Sequence, residues 1–313
     1  MNPNQFRRFA WTVLIYAILV FVWGAVVRAT GSGGGCGAHW PLCNGDVIPL
    51  APTLKTIVEF AHRLTSGLIL IMTVLLWWMA AKTFPDGHAA RRAAKWSLIF
   101  VIIEALIGAG IVLLRLVEDN ASLARALYIA VHLTNTLMLA GCYTWTIVAA
   151  KPDIVSWPAD RAARWERWMR VALVGLIVVA AVGAIVALGD TLFPSKSLAE
   201  GFAADRDPAA HFLIRLRAWH PAIAVIVSAF LITIVVRSDA MDEPALRTPA
   251  RAFVWLVVGQ VLLGALNLLT LAPLALQMVH LLVANLLWVA AVWMWLLIKS
   301  KVTRHTSQVP TRS

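Results

Sequence analysis

The sequence predicts an all-α integral membrane protein of eight transmembrane helices, and three observations carry that prediction. Of 313 residues, 60% are hydrophobic and only 14% charged, with a mean hydropathy of +0.78. A soluble domain carries about 25% charged residues. Apolar runs recur along the chain, each near the ~20 residues that a helix needs to span a bilayer. None alternates over about ten residues, as strands of a membrane barrel would. The formal charge of +11 does not indicate nucleic acid, because the basic residues lie in short segments between apolar runs and report topology instead.

The predicted spans are 10–27, 57–81, 96–115, 125–149, 170–189, 217–236, 251–270 and 275–298. The first follows Arg7 and Arg8 and resembles a signal peptide. It exceeds a signal h-region in length and lacks a clear small-residue cleavage site, so it reads as a retained helix. With the N-terminus inside, the inner segments carry Arg7, Arg8, Lys82, Arg91, Arg92, Lys95, Lys151, Arg161, Arg164, Arg167 and Arg170. They continue with Arg237, Arg247, Arg251, Lys299, Lys301, Arg304 and Arg312, to make 18 of the 27 Lys and Arg. The positive-inside rule therefore predicts an N-in/C-in topology. No amphipathic, acid-poor presequence precedes the first run, which favours a bacterial plasma membrane. The segment 190–214 is the longest outer connection and is expected to form a short surface helix. The polar tail after Lys301 is expected to be disordered.

In this topology the glycine-rich stretch GSGGGCGAHWPLCNG, residues 31–45, lies outside, where disulfides persist. Cys36 and Cys43 are then free to pair and staple the loop as a lid, with two free thiols as the alternative. Cys142, in the fourth span, reads as a small buried apolar residue.

Histidine placement suggests what the lid covers. His39, His88, His211 and His305 lie in polar segments, whereas His62, His132, His220 and His280 lie in apolar runs. Ionisable groups inside a membrane are costly and default to functional hypotheses. All four fall a few residues into even-numbered spans, which enter from outside. At 1.5 Å rise per residue their imidazoles lie roughly 5–11 Å below the outer boundary of the hydrocarbon core.

The chain also repeats. IEALIGAGIV (103–112) matches GQVLLGALNL (259–268), aligning Gly108 with Gly264, and YIAVHLTNTLML (128–139) resembles LQMVHLLVANLL (276–287). The halves 1–150 and 151–313 are then two four-helix bundles related by a pseudo-twofold axis along the membrane normal. Two imidazoles facing each other across a bundle suit a six-coordinate haem iron. Zinc would want four ligands, or three plus water. Two haem sites are expected, one per half.

The halves differ beside the first histidine of each. Glu59 stands three residues before His62, on the same helical face, where Arg217 stands before His220. An acid there is placed to transfer protons or position water; an ion pair with Arg63 or Lys55 is the alternative. This asymmetry points to reaction at the first haem and to electron handling or structural support at the second. Arg28, Arg115, Arg125 and Arg215 flank outer helix ends, where guanidinium groups either pair with haem propionates or snorkel to headgroups. Glu104, whose repeat mate is Gln260, reads as a hydrogen-bonded interior acid, and most of the 15 Trp read as interfacial anchors.

VVRATGSGGGCGAHWPLCNG (26–45), EFAHR (59–63), the paired histidines and the duplication resemble the haem A synthase family, over nearly the whole chain. The resemblance implies oxidation of the C8 methyl group of haem O to a formyl group, giving haem A for terminal oxidases. It implies haem O or haem A at His62 and His132, haem b at His220 and His280, Glu59 as the catalytic acid and Cys36–Cys43 as the loop disulfide. Some relatives carry a second cysteine pair in the matching loop of the C-terminal half; residues 190–216 contain none, so that loop must be held otherwise. A haem O synthase and an electron donor are the expected partners, with a homo-oligomer as a further expectation. The rival reading is a membrane dihaem b-type cytochrome that only moves electrons. A haem carrier or channel would need a charged path through the bilayer, which the sequence lacks.

Overall fold

A backbone in hydrocarbon must satisfy its own N–H and C=O groups, so each apolar run long enough to span has to be helical. A computed structural model bears this out and describes residues 2–151, 155, 157–238 and 240–305. In chain order the helices are α1 (Pro3–Ala29), α2 (Leu54–Thr83), α3 (Ala89–Leu113), α4 (Leu123–Ala150) and α5 (Ala159–Leu192). Two short ones follow, α6 (Leu198–Arg206) and α7 (Phe212–Arg215), then α8 (Trp219–Arg237), α9 (Pro244–Leu269) and α10 (Leu274–His305). Eight stretches among the described residues are long and apolar enough to cross a membrane, with α7 and α8 counting as one. The expected surface helix in 190–214 is α6. Helix α10 carries the chain beyond Lys301 to His305, and the remaining tail lies outside the described residues.

Local signals start and stop the helices. Thr53 and Ser122 cap α2 and α4 by accepting from the Thr56 and Arg125 amides, a contact usually worth about 1 kcal/mol. Helix α1 ends at Gly31, whose φ of +61° lets the Ser32 amide reach back to the Val27 carbonyl at 2.9 Å in a Schellman turn. Helices α3 and α9 end the same way at Arg115 and Leu271, both with positive φ.

Packing joins the two halves rather than separating them. Helix α1 buries Phe6, Ala10, Val13, Leu14, Ala17 and Ile18 at helical spacing, and one apolar core runs through α1 to α5 and α8 to α10. Between α4 and α10 the Trp288 indole donates to the Leu137 carbonyl at 2.6 Å. Arg28, at the end of α1, donates to the Ala187 carbonyl at 2.7 Å and the Thr191 hydroxyl at 2.6 Å on α5, and to Gln277 Oε1 on α10. Such polar bridges hold helices together where lipid removes the hydrophobic drive for association.

Candidate functional site

A cavity of about 1120 Å³ opens between the helices at the end that carries the 30–53 loop, larger than most single-ligand pockets. His62, His132, His220 and His280 all line it, together with Glu59, Glu104, Arg28, Arg125 and Arg217. The predicted histidines, drawn from four helices, thus meet in one continuous space.

Each imidazole packs edge-on against a glycine of the odd-numbered span before it. A Cβ added at Gly24 would lie 3.1 Å from His62 Cε1, at Gly108 3.9 Å from His132 Cε1, at Gly183 2.7 Å from His220 Cε1 and at Gly264 3.2 Å from His280 Cε1. The sequence repeat revealed only Gly108 and Gly264. The fold adds a regularity: in α1, α3 and α9 the residue that ends the helix with positive φ stands seven after this glycine, at Gly31, Arg115 and Leu271. Helix α5 departs from the rule and continues to Leu192.

The His220 and His280 ring centroids are 6.5 Å apart, enough for one metal atom between them at metal–imidazole distances of about 2 Å. Nδ1 of His220 stands 3.2 Å from the Val179 carbonyl. Nδ1 of His62, His132 and His280 is buried without a hydrogen bond. Among the described residues no three His, Cys, Asp or Glu side chains gather as a metal ion would require. The donor set is pairs of imidazoles.

Cys36 and Cys43 form a disulfide, and the loop it closes is anchored to one stripe of α2. Thr56 Oγ1 donates to the Gly35 carbonyl at 2.9 Å. Glu59, 3% exposed, accepts from the Cys36 amide at 2.8 Å through Oε2 and from Arg63 at 2.5 and 3.1 Å through Oε1. Arg63 also donates to the His39 and Leu42 carbonyls at 2.8 and 2.7 Å. A side chain at Gly35 would collide with the Lys55 backbone, so only glycine brings the loop this close. Trp40, Pro41 and Val47 complete the cavity wall, and the His39 ring does not reach it.

The opposite loop, 193–211, is held by Arg217. Its Nε stands 2.9 Å from Asp190 Oδ1, and it donates to the Gly189 and Phe193 carbonyls and Ser195 Oγ. Asp205, in α6, faces the same cluster. Burial pushes its carboxyl above the usual range, against the pull of Arg217 and Arg206. Of the four arginines singled out by sequence, Arg28 and Arg125 line the cavity, whereas Arg115 and Arg215 are exposed and do not. Glu104 is hydrogen-bonded, as expected, to Asn135 Nδ2 and Thr136 Oγ1.

A family model described as cytochrome oxidase assembly protein matches residues 7–292. The chain belongs to that family. A protein of Thermus thermophilus named protoheme IX farnesyltransferase is 40% identical over 300 residues, covering 93% of this chain and 48% of its own. The chain therefore spans about half the length of that relative. Proteins named heme A synthase match shorter stretches. One of Alkalihalophilus pseudofirmus is 43% identical over 98 residues (31% of this chain, 33% of its own), and one of Halalkalibacterium halodurans is 38% identical over 109 residues (35% and 37%). With these bacterial relatives and eight membrane-long apolar stretches among its described residues, this family member is a multi-pass protein of the plasma membrane.

Proposed function

We propose that the chain is a haem A synthase, oxidising the C8 methyl group of haem O to a formyl group. The observation that carries this reading is the set of four glycine-seated imidazoles around one cavity. Three of them keep an unpartnered buried ring nitrogen, which is costly unless a ligand uses the site. The residues fit haem: neutral imidazoles in pairs are its usual axial donors. In this reading His62 and His132 hold the substrate haem in the half 1–150, and His220 and His280 hold haem b in the half 151–313. Bound haem b supplies one-electron redox chemistry. Arg28 and Arg125 are placed to meet propionates, and the 30–53 loop faces outward and excludes bulk water from the first site. Glu59 holds a proton, or orients water, beside the reacting methyl group.

The names heme A synthase among the relatives favour this reading over a cytochrome that only moves electrons. The farnesyltransferase name belongs to a protein about twice as long; in our reading its unmatched half makes the farnesylated haem that the matched half consumes. The test is expression of the full chain in a bacterium that makes haem O but not haem A, followed by pigment extraction and chromatography. Haem A is expected, with haem b in the purified protein. Haem b alone would identify an electron-transfer cytochrome.

A further inference from the structure

The repeat sets one asymmetry inside the membrane that the function above does not use. Four residues before each glycine seat, and so one turn away on the same face of the same helix, stand Val20, Glu104, Val179 and Gln260. The second histidine of each half thus meets a polar partner, and only His132 meets a carboxylate. Glu104 Oε1 lies 3.4 Å from His132 Nδ1, close to a hydrogen bond though not yet one. The carboxylate is fixed from the next turn of α4: Asn135 Nδ2 donates to Oε2 at 2.5 Å, and Thr136 Oγ1 lies against Oε1. Asn135 is itself oriented by the Phe100 carbonyl at 3.0 Å. A carboxylate carries about four lone-pair sites, so Oε1 retains acceptor capacity toward the imidazole. In the other half, Gln260 presents its amide nitrogen, a donor, 3.1 Å from His280 Nε2, and offers no acceptor to His280 Nδ1.

We propose that Glu104 is a positioning residue for His132: it accepts the Nδ1 proton, fixes the ring with Nε2 free to bind, and strengthens that nitrogen as a donor to iron. Outer-shell carboxylates do this for metal-bound histidines generally. The proposal rests on the reading of His132 as an axial ligand. A stronger donor favours the ferric state, so the haem at His132 has a lower midpoint potential than it would with a carboxamide. The haem at His280 lacks this contribution.

The test is a spectroelectrochemical titration of the purified full chain with its haems, comparing wild type, Glu104→Gln, Glu104→Asp and His132→Ala. Glu104→Gln should retain both haems and raise one midpoint by about 59 mV, a tenfold change in the one-electron equilibrium, while the other stays put. Glu104→Asp should recover part of the shift. If His132→Ala kept both haems with unchanged spectra, the ligand assignment would fall, and this proposal with it. If His132→Ala lost one haem while Glu104→Gln left both midpoints at wild-type values, the ligand assignment would stand and the proposal would be overturned. Should Glu104→Gln fail to assemble, Glu104→Asp decides, and two midpoints at wild-type values overturn the proposal.

Discussion

The two loops that border the cavity are held from the same place in the repeat by opposite charges. Three residues before His62, Glu59 accepts from the backbone amide of Cys36 and from Arg63, which in turn grips two loop carbonyls. Three residues before His220, Arg217 donates to two carbonyls and pairs with Asp190. The first loop has a disulfide to shape it, so an acid that catches one amide completes the fastening. The second has no cysteine and a longer α5, and a five-donor guanidinium gathers its carbonyls instead. An identical task is met by inverted chemistry, so charge reversal between halves is not by itself a sign of catalysis. Both side chains also line the cavity; what distinguishes Glu59 is that it alone of the two is an acid, able to hold or release a proton there.

That comparison breaks most sharply at Glu59. Glu59→Gln keeps a hydrogen-bonding side chain against the loop but removes the acid. If Glu59 handles a proton, haem A formation in cells should fall by about 10²–10⁴-fold with haem content unchanged, as read by pigment chromatography. Wild-type haem A would leave Glu59 a loop fastener only, the counterpart of Arg217.

The glycine seats come next. Gly183→Ala drives a methyl group into the His220 ring, and by analogy with lost outer-shell support should weaken haem retention about 10–100-fold. Gly108→Ala, with 3.9 Å available, should retain its haem at wild-type stoichiometry. Equal haem content in the two purified variants would show that the seats do not position the imidazoles.

Cys36→Ser should leave the eight helices intact, since their hydrogen bonds are internal. It should cost about 2–3 kcal/mol, the chain-entropy value for so short a loop, and lower activity by loosening the lid. Thiol-blocking mass spectrometry of freshly prepared wild type should find Cys36 and Cys43 protected; two alkylated cysteines would remove the staple from the comparison.

The smallest effect is expected at Arg217. Arg217→Met leaves Asp190 and two carbonyls without their donor, at a cost of about 1–3 kcal/mol, reduced because the pair is partly exposed. Thermal unfolding in detergent of Arg217→Met, Asp190→Asn and the double variant should show that the two changes are less than additive. Strict additivity would mean that the ion pair does not fasten the second loop.

The spans, the histidines and their common depth were legible in the sequence because each depends on local quantities: run length against bilayer thickness, and position within a run. The duplication exposed Gly108 and Gly264, and the lid cysteines stood out by spacing. Gly24 and Gly183 are not legible as seats, because a glycine inside an apolar helix has no local signature of what lies opposite. Nor could the sequence choose between proton handling and an Arg63 contact for Glu59; the fold shows the contact, with the loop amide added, while the acid still borders the cavity. The sequence by itself determined how many helices cross the membrane and which imidazoles lie near one surface. Only the tertiary structure decided that all four share one cavity, that Arg28 ties α1 to α5 and α10, and that Glu104 rather than Gln260 approaches an imidazole Nδ1. These pairings depend on helix rotation and on packing between residues far apart in the chain, which a one-dimensional pattern does not encode.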